Sequence, residues 1–212
     1  MRIIGGSLKG KTILPPTNYA ARPTTDFAKE GLFNILQNEF DIEDISLLDL
    51  FSGTGSISME FASRGCSDII SIEMNPLHTR FIKQCAQSFK IKGMQVIRYN
   101  VFDFIKICTK TFDLIFADPP YDLEGLDTLP DRIFGILPQS TLTAPESGSE
   151  EDTSNEASEH NKPQVEPSKN LVKDGGYFIL EHPGSYNFEN HPFFVKERKY
   201  GNVHFSFFRK KS

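Results

Sequence analysis

The sequence predicts an α/β fold in which a mostly parallel sheet carries helices on both faces. Short apolar runs typical of buried strands alternate with amphipathic segments of helical period along most of the 212 residues. Polar and glycine residues suited to ligand binding follow directly after several of these runs, where parallel sheets bind their ligands. Near the end, two β-prone runs flank Gly201-Asn202, which predicts an antiparallel C-terminal hairpin.

The predicted elements form an N-terminal hairpin, an alternating series of strands and helices, and the C-terminal hairpin. The predicted strands cover residues 2–4, 10–14, 46–51, 69–73, 96–99, 112–117, 177–181, 193–199 and 204–209. The predicted helices cover residues 25–38, 57–63, 76–89 and 129–137. Pro76 suits the first turn of its helix. We therefore interpret residues 1–212 as one domain, of which residues 1–25 form a basic hairpin extension.

The composition is that of an ordinary water-soluble domain, with 38% hydrophobic and 24% charged residues. No apolar run approaches the roughly 18 residues that a membrane span requires, and no signal peptide is recognisable. The three cysteines, Cys66, Cys85 and Cys108, are scattered and odd in number, which argues against a disulfide framework or a zinc site. We therefore expect a cytoplasmic monomer with no metal and no membrane partner.

The net charge of −5 is concentrated in one segment. Residues 139–170 hold seven acidic residues against two lysines, whereas the rest of the chain has 21 residues of each sign. This segment is rich in Ser, Thr, Glu, Pro and Asn, so it cannot bury enough apolar surface to offset the entropy lost on ordering. The sequence therefore predicts an acidic disordered insertion in a loop.

Both ends of the chain are basic. Residues 1–25 contain four basic residues and no acidic residue, and residues 191–212 contain six basic residues against Glu197. Such ends can face a phosphate backbone, but they fit ordinary solvated surface equally well. Thr25 or Asp26 would cap the first helix. The candidate substrate-binding residues are Arg2, Lys9, Lys11, Arg22 and Thr24.

A glycine-rich turn follows the strand at 46–51. It reads Leu48-Asp49-Leu50-Phe51-Ser52-Gly53-Thr54-Gly55-Ser56, and its glycines permit a tight turn and close approach of a ligand. A nicotinamide-binding turn would have a third glycine where Ser58 stands, and a pyrophosphate would not favour Asp49 at the strand end. A carboxylate there suits a cationic amino-acid cofactor such as S-adenosylmethionine, which carries an ammonium and a sulfonium group. The candidate cofactor-binding residues here are Asp49, Phe51, Gly53 and Gly55.

The next two predicted strands end in further candidate cofactor ligands. Glu73 ends the strand at 69–73 and could accept hydrogen bonds from both ribose hydroxyls of a nucleoside. Asn100-Val101 follows the strand at 96–99, where the amide could bind an adenine edge, although a turn-forming asparagine is equally consistent. The spacing of Glu73 from the glycine turn favours a cofactor site over an isolated surface acid.

The sequence Asp118-Pro119-Pro120-Tyr121, directly after the strand at 112–117, indicates the reaction. An exocyclic base amine is a poor nucleophile because its lone pair is delocalised into the ring. The Asp118 carboxylate and the Pro119 carbonyl could hold both amine hydrogens and direct the lone pair toward a sulfonium methyl group. The prolines stiffen the loop, and Tyr121 could stack on the base. These four residues are the candidate catalytic residues.

Together these motifs resemble the bacterial small-subunit (16S) ribosomal RNA guanine-N2 methyltransferases, the RsmD family. Many amine methyltransferases share the glycine turn and the Asp118 motif. More particular to the family are Arg2-Ile3-Ile4-Gly5-Gly6, Lys9-Gly10-Lys11 and Arg22-Pro23-Thr24-Thr25-Asp26, and the likeness continues through residues 29–36 and 63–65. Lys29 and Gly31 depart from the usual arginine and alanine, and glycine in a helix costs about 1 kcal/mol.

The resemblance implies a Rossmann-like class I S-adenosylmethionine-dependent methyltransferase fold. It also implies a guanine 2-amino target in ribosomal RNA, within the small ribosomal subunit or an assembly intermediate. Two other functions compete with this interpretation. A DNA adenine or cytosine amino-methyltransferase would use the same Asp118 chemistry, but it would need a larger target-recognition region. A catalytically inactive RNA-binding assembly factor could keep the fold, although it would have no need of an amine-orienting loop.

Overall fold

The structure is a computed structural model, and it describes residues 1–15, 25–136 and 169–210. The helices are α1 Asp26–Glu39, α2 Ser56–Ser63, α3 Pro76–Ser88, α4 Val101–Ile107 and α5 Leu129–Phe134, with a 3-10 turn at Leu126–Thr128. The strands are β1 Ser46–Leu50, β2 Asp68–Glu73, β3 Met94–Arg98, β4 Phe112–Ala117, β5 Val172–His182, β6 Phe194–Tyr200 and β7 Val203–Arg209.

The strands form one sheet in the order β3-β2-β1-β4-β5-β7-β6. The first five strands pair in parallel, and β7 pairs antiparallel with both β5 and β6. This confirms the mostly parallel sheet and the C-terminal hairpin, but the antiparallel strand lies inside the sheet and β6 forms its edge. The strand order reverses between β1 and β4, which creates a crevice at the carboxyl ends of these two strands.

Helices cover both faces of the sheet, as the alternating pattern predicts. One apolar layer includes Phe104 of α4 and Ile133 of α5 packed with Phe178 of β5. The other includes Leu32 of α1 and Phe61 of α2 packed with buried strand residues. Because helices cover both faces of the sheet, a ligand can reach the sheet at the carboxyl ends of its strands but not at either face.

The predicted N-terminal hairpin is an antiparallel ribbon in which Arg2 pairs with Thr12. The Gly10 amide donates to the Ile3 carbonyl at 2.8 Å, so the two arms do fold back on each other. Ile3 and Ile13 are fully buried in a cluster with Met59 of α2 and Ile82 of α3, and Met94 and Val96 of β3 pack against this cluster. The extension therefore packs against α2 and α3.

Some boundaries differ from those that the sequence predicts. The helix α4 was not predicted, because its seven residues are too few to show a clear apolar period. The helix predicted at 129–137 ends at Phe134, where Gly135 takes a left-handed conformation. The strand predicted at 177–181 begins earlier, at Val172, beyond a glycine pair that resembles a turn in the sequence.

Gly31 explains how α1 meets the C-terminal hairpin. A side-chain carbon added at Gly31 would lie 2.2 Å from the ring of Tyr200 at the end of β6. The Tyr200 ring also packs edge-on against Phe27 and near Phe205. The glycine that weakens the helix in isolation thus makes room for an aromatic contact between α1 and β6.

Several predictions fall outside the described residues. Arg22 and Thr24 lie there, and so does the predicted insertion at 139–170 except for its last two residues. Of those two, Asn170 accepts a hydrogen bond from the Val172 amide at the start of β5. Within the described ranges, no helix is long and apolar enough to cross a membrane, and no cluster of three or more potential ligands could hold a metal ion.

Candidate active site

A cavity of about 600 Å³ opens at the carboxyl edge of the sheet, beside the point where the strand order reverses. Ten of the predicted cofactor-binding and catalytic residues line it: Asp49, Phe51, Gly53, Glu73, Asn100, Val101, Asp118, Pro119, Pro120 and Tyr121. These residues lie at or just after the carboxyl ends of β1, β2, β3 and β4, which are distant from one another in the sequence. The fold therefore brings both predicted motifs into one space.

The glycine turn after β1 uses three left-handed residues. Phe51, Gly53 and Gly55 have φ angles of 58°, 52° and 74°, and a phenylalanine in this region is rare. Gly53 lines the cavity, and an added side-chain carbon would have only the Phe51 carbonyl within 4 Å, at 3.8 Å. The backbone at Gly53 is thus open to a ligand, as predicted.

Gly55 does not line the cavity, unlike the other residues predicted in this turn. It immediately precedes α2, and an added side-chain carbon would lie 2.9 Å from Ile82 of α3. Its observed role is close packing of the start of α2 against α3. The sequence pattern identified the turn correctly but could not separate the glycine that faces the cavity from the glycine that faces the core.

Asp49 is 2% exposed near the end of β1. The Ser58 hydroxyl donates to its carboxylate, and Ser58 also shares a hydrogen bond of 2.7 Å with the Ser71 hydroxyl. Burial raises the pKa of Asp49 to about 7, although the hydrogen bond from Ser58 acts in the opposite direction. Ser58, which stands where a nicotinamide-binding turn has glycine, therefore supports a buried acid that a cationic ligand would stabilise.

Glu73 joins the glycine turn to the start of α3. Its two carboxylate oxygens each accept one backbone hydrogen bond, from the Gly53 amide and from the Asn75 amide, both at 2.8 Å. The His78 Nδ1 atom lies 3.6 Å from Glu73 Oε1. A carboxylate has about four acceptor positions, so these two bonds leave capacity for ribose hydroxyls.

Asn100 caps a helix and also lines the cavity. Its side-chain oxygen accepts a hydrogen bond of 3.2 Å from the Asp103 amide and so caps α4. It also lines the cavity beside Val101, which is 4% exposed. The capping role orients Asn100, and contact of this region with an adenine stays a prediction.

The loop Asp118–Tyr121 is fixed at both ends. The Asp118 amide donates to the Leu50 carbonyl of β1 at 3.4 Å, and the Leu123 amide donates to the Pro120 carbonyl at 2.9 Å. The first bond ties the candidate catalytic loop to the strand that carries Asp49. The second closes a turn that contains Tyr121, so backbone hydrogen bonds hold both ends of the loop.

Sequence reasoning missed several residues of the cavity. Thr25, predicted as a helix cap, does cap α1 by accepting from the Ala28 amide at 3.2 Å, and it also lines the cavity. Phe102 belongs to the unpredicted helix α4. Glu181 ends the predicted strand at 177–181, and an acid at a strand end is the same signal that identified Glu73.

The predicted substrate-binding residues that the structure describes lie away from the cavity wall. Arg2 pairs with Asp26 at 2.9 Å at the start of α1, and Lys9 and Lys11 are exposed in the N-terminal ribbon. In the basic tail, Lys196, Lys199 and Lys210 pair with acids at 2.6 to 3.3 Å. These pairs favour ordinary surface for the three tail lysines and leave the ribbon lysines as the better candidates.

An ion network centred on the fully buried Glu60 and Lys29 fixes the ribbon to α2. Glu60 accepts hydrogen bonds from the Ile4 and Gly5 amides, at 2.9 and 2.8 Å. It also pairs with Lys29 of α1 at 3.5 Å and with Arg64 at 3.0 Å. Lys29 in turn donates a hydrogen bond to the Arg2 carbonyl at 2.6 Å. The lysine that replaces the family's usual arginine thus joins α1 to the ribbon. Burial lowers the pKa of Lys29.

The chain is similar to ribosomal RNA methyltransferases at moderate identity. The ribosomal RNA small subunit methyltransferase D of Buchnera aphidicola is 35% identical over 121 residues, which cover 57% of this chain and 61% of that protein. The chain spans 60 to 61% of the length of the first curated relatives that it matches. What these relatives act on is therefore support for a proposal rather than a property of this chain.

Two solved structures share the fold. A hypothetical protein of Thermus thermophilus has a TM-score of 0.73 at 23% identity, with 99% of each chain covered. The 16S rRNA N2 methyltransferase RsmC of Thermus thermophilus, solved with AdoMet and guanosine, has a TM-score of 0.60 at 16% identity, covering 91% of this chain and 45% of that chain. These likenesses confirm the predicted Rossmann-like class I methyltransferase fold.

A family model described as conserved hypothetical protein 95 matches residues 1–161, which is well over half of the chain. The match includes the N-terminal ribbon, the glycine turn and the Asp118 loop. It confirms the resemblance to the RsmD family that those stretches indicate. The chain therefore belongs to the family described as conserved hypothetical protein 95.

Proposed function

We propose that this protein transfers a methyl group from S-adenosylmethionine to the 2-amino group of a guanine in small-subunit ribosomal RNA. The observation that carries the proposal is the meeting, in one cavity, of the residues predicted to bind a cationic nucleoside with the Asp118 loop. The name of the Buchnera relative supports the RNA substrate, and the guanosine-bound neighbour supports a guanine amine.

The residues present fit S-adenosylmethionine. When bound, this cofactor supplies an electrophilic methyl group. Asp49 offers a buried carboxyl that gains from a nearby ammonium group, and Gly53 leaves the backbone open to close approach. Glu73 keeps acceptor capacity for ribose hydroxyls, and Val101 gives apolar surface for a flat ring. Together these residues account for the amino acid, ribose and base parts of the cofactor.

The Asp118 loop supplies the acceptors that a base amine requires. The Asp118 carboxylate and the Pro119 carbonyl would each take one amine hydrogen, which frees the nitrogen lone pair for attack. As the nitrogen becomes positive, the same two acceptors stabilise it without reorganising, because the loop is already tied to Leu50. Tyr121 would stack on the base and hold its plane.

The RNA itself would lie over the mouth of the cavity. The exposed Lys9 and Lys11 belong to a ribbon that Glu60 fixes to the domain, so their charges have a defined position for phosphate contacts. The substrate would be the small ribosomal subunit or an assembly intermediate. We further propose that the protein acts as a monomer.

The test is methyl transfer from S-adenosylmethionine carrying a tritiated methyl group. Small ribosomal subunits, naked small-subunit RNA and duplex DNA are offered separately, and the label in each is counted. We expect label in RNA or subunits and none in DNA. Label in DNA adenine or cytosine would replace the proposal with a DNA amino-methyltransferase, and bound cofactor without transfer to any substrate would favour an inactive RNA-binding factor.

A further inference from the structure

Glu181 is an acidic residue of the cavity to which the proposed methyl transfer gives no role. It is the penultimate residue of β5, it is 3% exposed, and it lines the cavity together with Asp118 and Val203. Acidic side chains are rarely buried to this degree unless a partner compensates for the cost of removing the carboxylate from water. Its position at the edge of a ligand cavity points to a function in binding.

The strand register places Glu181 beside the catalytic loop. Ala117 of β4 pairs with Leu180 of β5, so Asp118 and Glu181 are the next residues along two adjacent parallel strands. Adjacent strands lie about 5 Å apart, which is within reach of one edge of a base. Glu181 shares a sheet face with Ile179, the face that α1 covers. It therefore flanks the Asp118 loop on the side of α1, where Thr25 also lines the cavity.

We infer that Glu181 selects guanine by accepting a hydrogen bond from its N1–H group. The inference rests on the proposed function and specifies how its substrate is chosen. Guanine, adenine and cytosine all carry an exocyclic amine, but guanine alone has a ring N–H donor next to that amine. Adenine and cytosine present a ring-nitrogen lone pair there, which a carboxylate repels.

Three acceptors then meet three donors along one edge of the base. The Asp118 carboxylate and the Pro119 carbonyl accept the two amine hydrogens, and the Glu181 carboxylate accepts the ring N–H. A wrong base would leave a buried carboxylate facing a lone pair, and unpaired buried polar groups give strong discrimination. Glu181 would thus orient the guanine as well as choose it.

The experiment compares guanine with 2,6-diaminopurine at the methylated position. The wild-type reaction first locates that position, and small-subunit RNA is then assembled by ligation with either base there. 2,6-Diaminopurine keeps the 2-amino group but presents a lone pair at N1. We expect the wild-type protein to prefer guanine by at least about tenfold, and Glu181→Gln, whose amide can donate to N1, to shift that ratio about tenfold or more toward 2,6-diaminopurine.

Three further variants complete the test. Glu181→Asp keeps a carboxylate and should keep the guanine preference, whereas Glu181→Ala should bring the two rates close together. Glu189→Gln, at an exposed position of the same charge, should leave the ratio unchanged. Calorimetric binding of S-adenosylmethionine shows that each variant is folded. If Glu181→Gln does not bind the cofactor, the base ratio of Glu181→Ala decides the test instead.

An unchanged base ratio in the deciding variant would overturn the inference. An equal loss of both rates with normal cofactor binding would overturn it too, because that result belongs to a structural role. These outcomes differ from failure of the proposed function, in which the wild-type protein itself would place no methyl group on a guanine.

Discussion

Asp49 carries a carboxyl group whose pKa of about 7 lets it gain or lose a proton near neutrality. A ligand ammonium group favours the ionised form, so binding should strengthen as the pH rises toward and past 7. We expect the affinity for S-adenosylmethionine to rise from pH 6 to pH 7.5, by up to about tenfold per pH unit below the pKa. Calorimetric titrations at several pH values measure this.

Asp49→Asn is the matched variant for that titration, since it keeps the size of the side chain and cannot ionise. Its affinity should be weaker and nearly independent of pH. Because the folded pKa of Asp49 lies above its ordinary value of 3.8, the ligand-free protein should also lose stability as the pH rises from about 4 through 7. A wild-type affinity that falls over the same range would contradict an ammonium partner for Asp49.

Asp118 is proposed to contact the reacting amine and not the cofactor. Asp118→Ala should therefore lower the methyl-transfer rate by about 10²- to 10³-fold, the range seen when one preorganised charge-stabilising group is removed. Binding of S-adenosylmethionine should stay within about twofold of wild type, since Asp49 and Glu73 are intact. Single-turnover transfer and calorimetry on the same preparation separate the two effects.

The control for this variant is Asp122→Ala, four residues further along the chain at an exposed position outside the cavity wall. It removes the same charge from the neighbourhood of the loop and should keep the wild-type rate. If Asp118→Ala lost cofactor binding and turnover in equal measure, Asp118 would have a structural role instead.

At the scale of elements, the contact between α1 and β6 predicts that alanine at position 31 destabilises the protein, although helix propensity alone predicts that it stabilises α1. Alanine stabilises an isolated helix by about 1 kcal/mol relative to glycine. At Gly31, however, the added carbon would lie 2.2 Å from the Tyr200 ring. We expect Gly31→Ala to lower the free energy of unfolding by about 1 to 3 kcal/mol, because the ring must leave its packed position.

Denaturant unfolding measures this change, and Gln37→Ala on the exposed face of α1 is the control. That control should be neutral or slightly stabilising. Adding Tyr200→Leu to Gly31→Ala should recover part of the loss, since the shorter side chain leaves space for the methyl group. A stabilised Gly31→Ala variant would show that the Tyr200 contact contributes little.

The buried Glu60 network attaches the N-terminal ribbon to α2, and it should be sensitive to loss of one charge. Glu60→Gln leaves the buried Lys29 ammonium without its carboxylate and should cost about 3 to 5 kcal/mol of unfolding free energy. Amide hydrogen exchange at Ile4 and Gly5 should accelerate, because both amides donate to Glu60. The control is Glu30→Gln, at an exposed position of α1, which should change neither the unfolding free energy nor the exchange rates. If the Ile4 amide of the Glu60→Gln variant exchanged as slowly as in the wild-type protein, Glu60 would not attach the ribbon.

Across the whole molecule, residues 140–168 should be dispensable for folding. The Leu171 amide donates to the Ile133 carbonyl at 2.9 Å, so the described residues near the two ends of this segment already meet. Replacing residues 140–168 by a short glycine-serine linker should leave the melting temperature and the methyl-transfer rate close to wild type. A collapsed thermal transition would show that the segment belongs to the folded core.

Much of the architecture follows from local pattern, because buried strands and amphipathic helices leave periodic signals. The strand at 112–117 matches β4 residue for residue, and ten predicted site residues do meet in the cavity. The sequence pattern could not predict which residues pack against each other or which strands lie side by side. Gly55 and Gly53 look alike in the sequence, and only packing against Ile82 separates them. Glu181 ends a predicted strand as Glu73 does, but only the β4–β5 register places it beside Asp118.

The central claim is that one cavity joins a sulfonium cofactor to a guanine amine. The most direct measurement is mass analysis of nucleosides from small-subunit RNA after reaction with S-adenosylmethionine bearing a deuterated methyl group. The account predicts deuterated N2-methylguanosine with the wild-type protein and almost none with Asp118→Ala. Deuterium in a methylated adenine or cytosine, or on another atom of guanine, would contradict it.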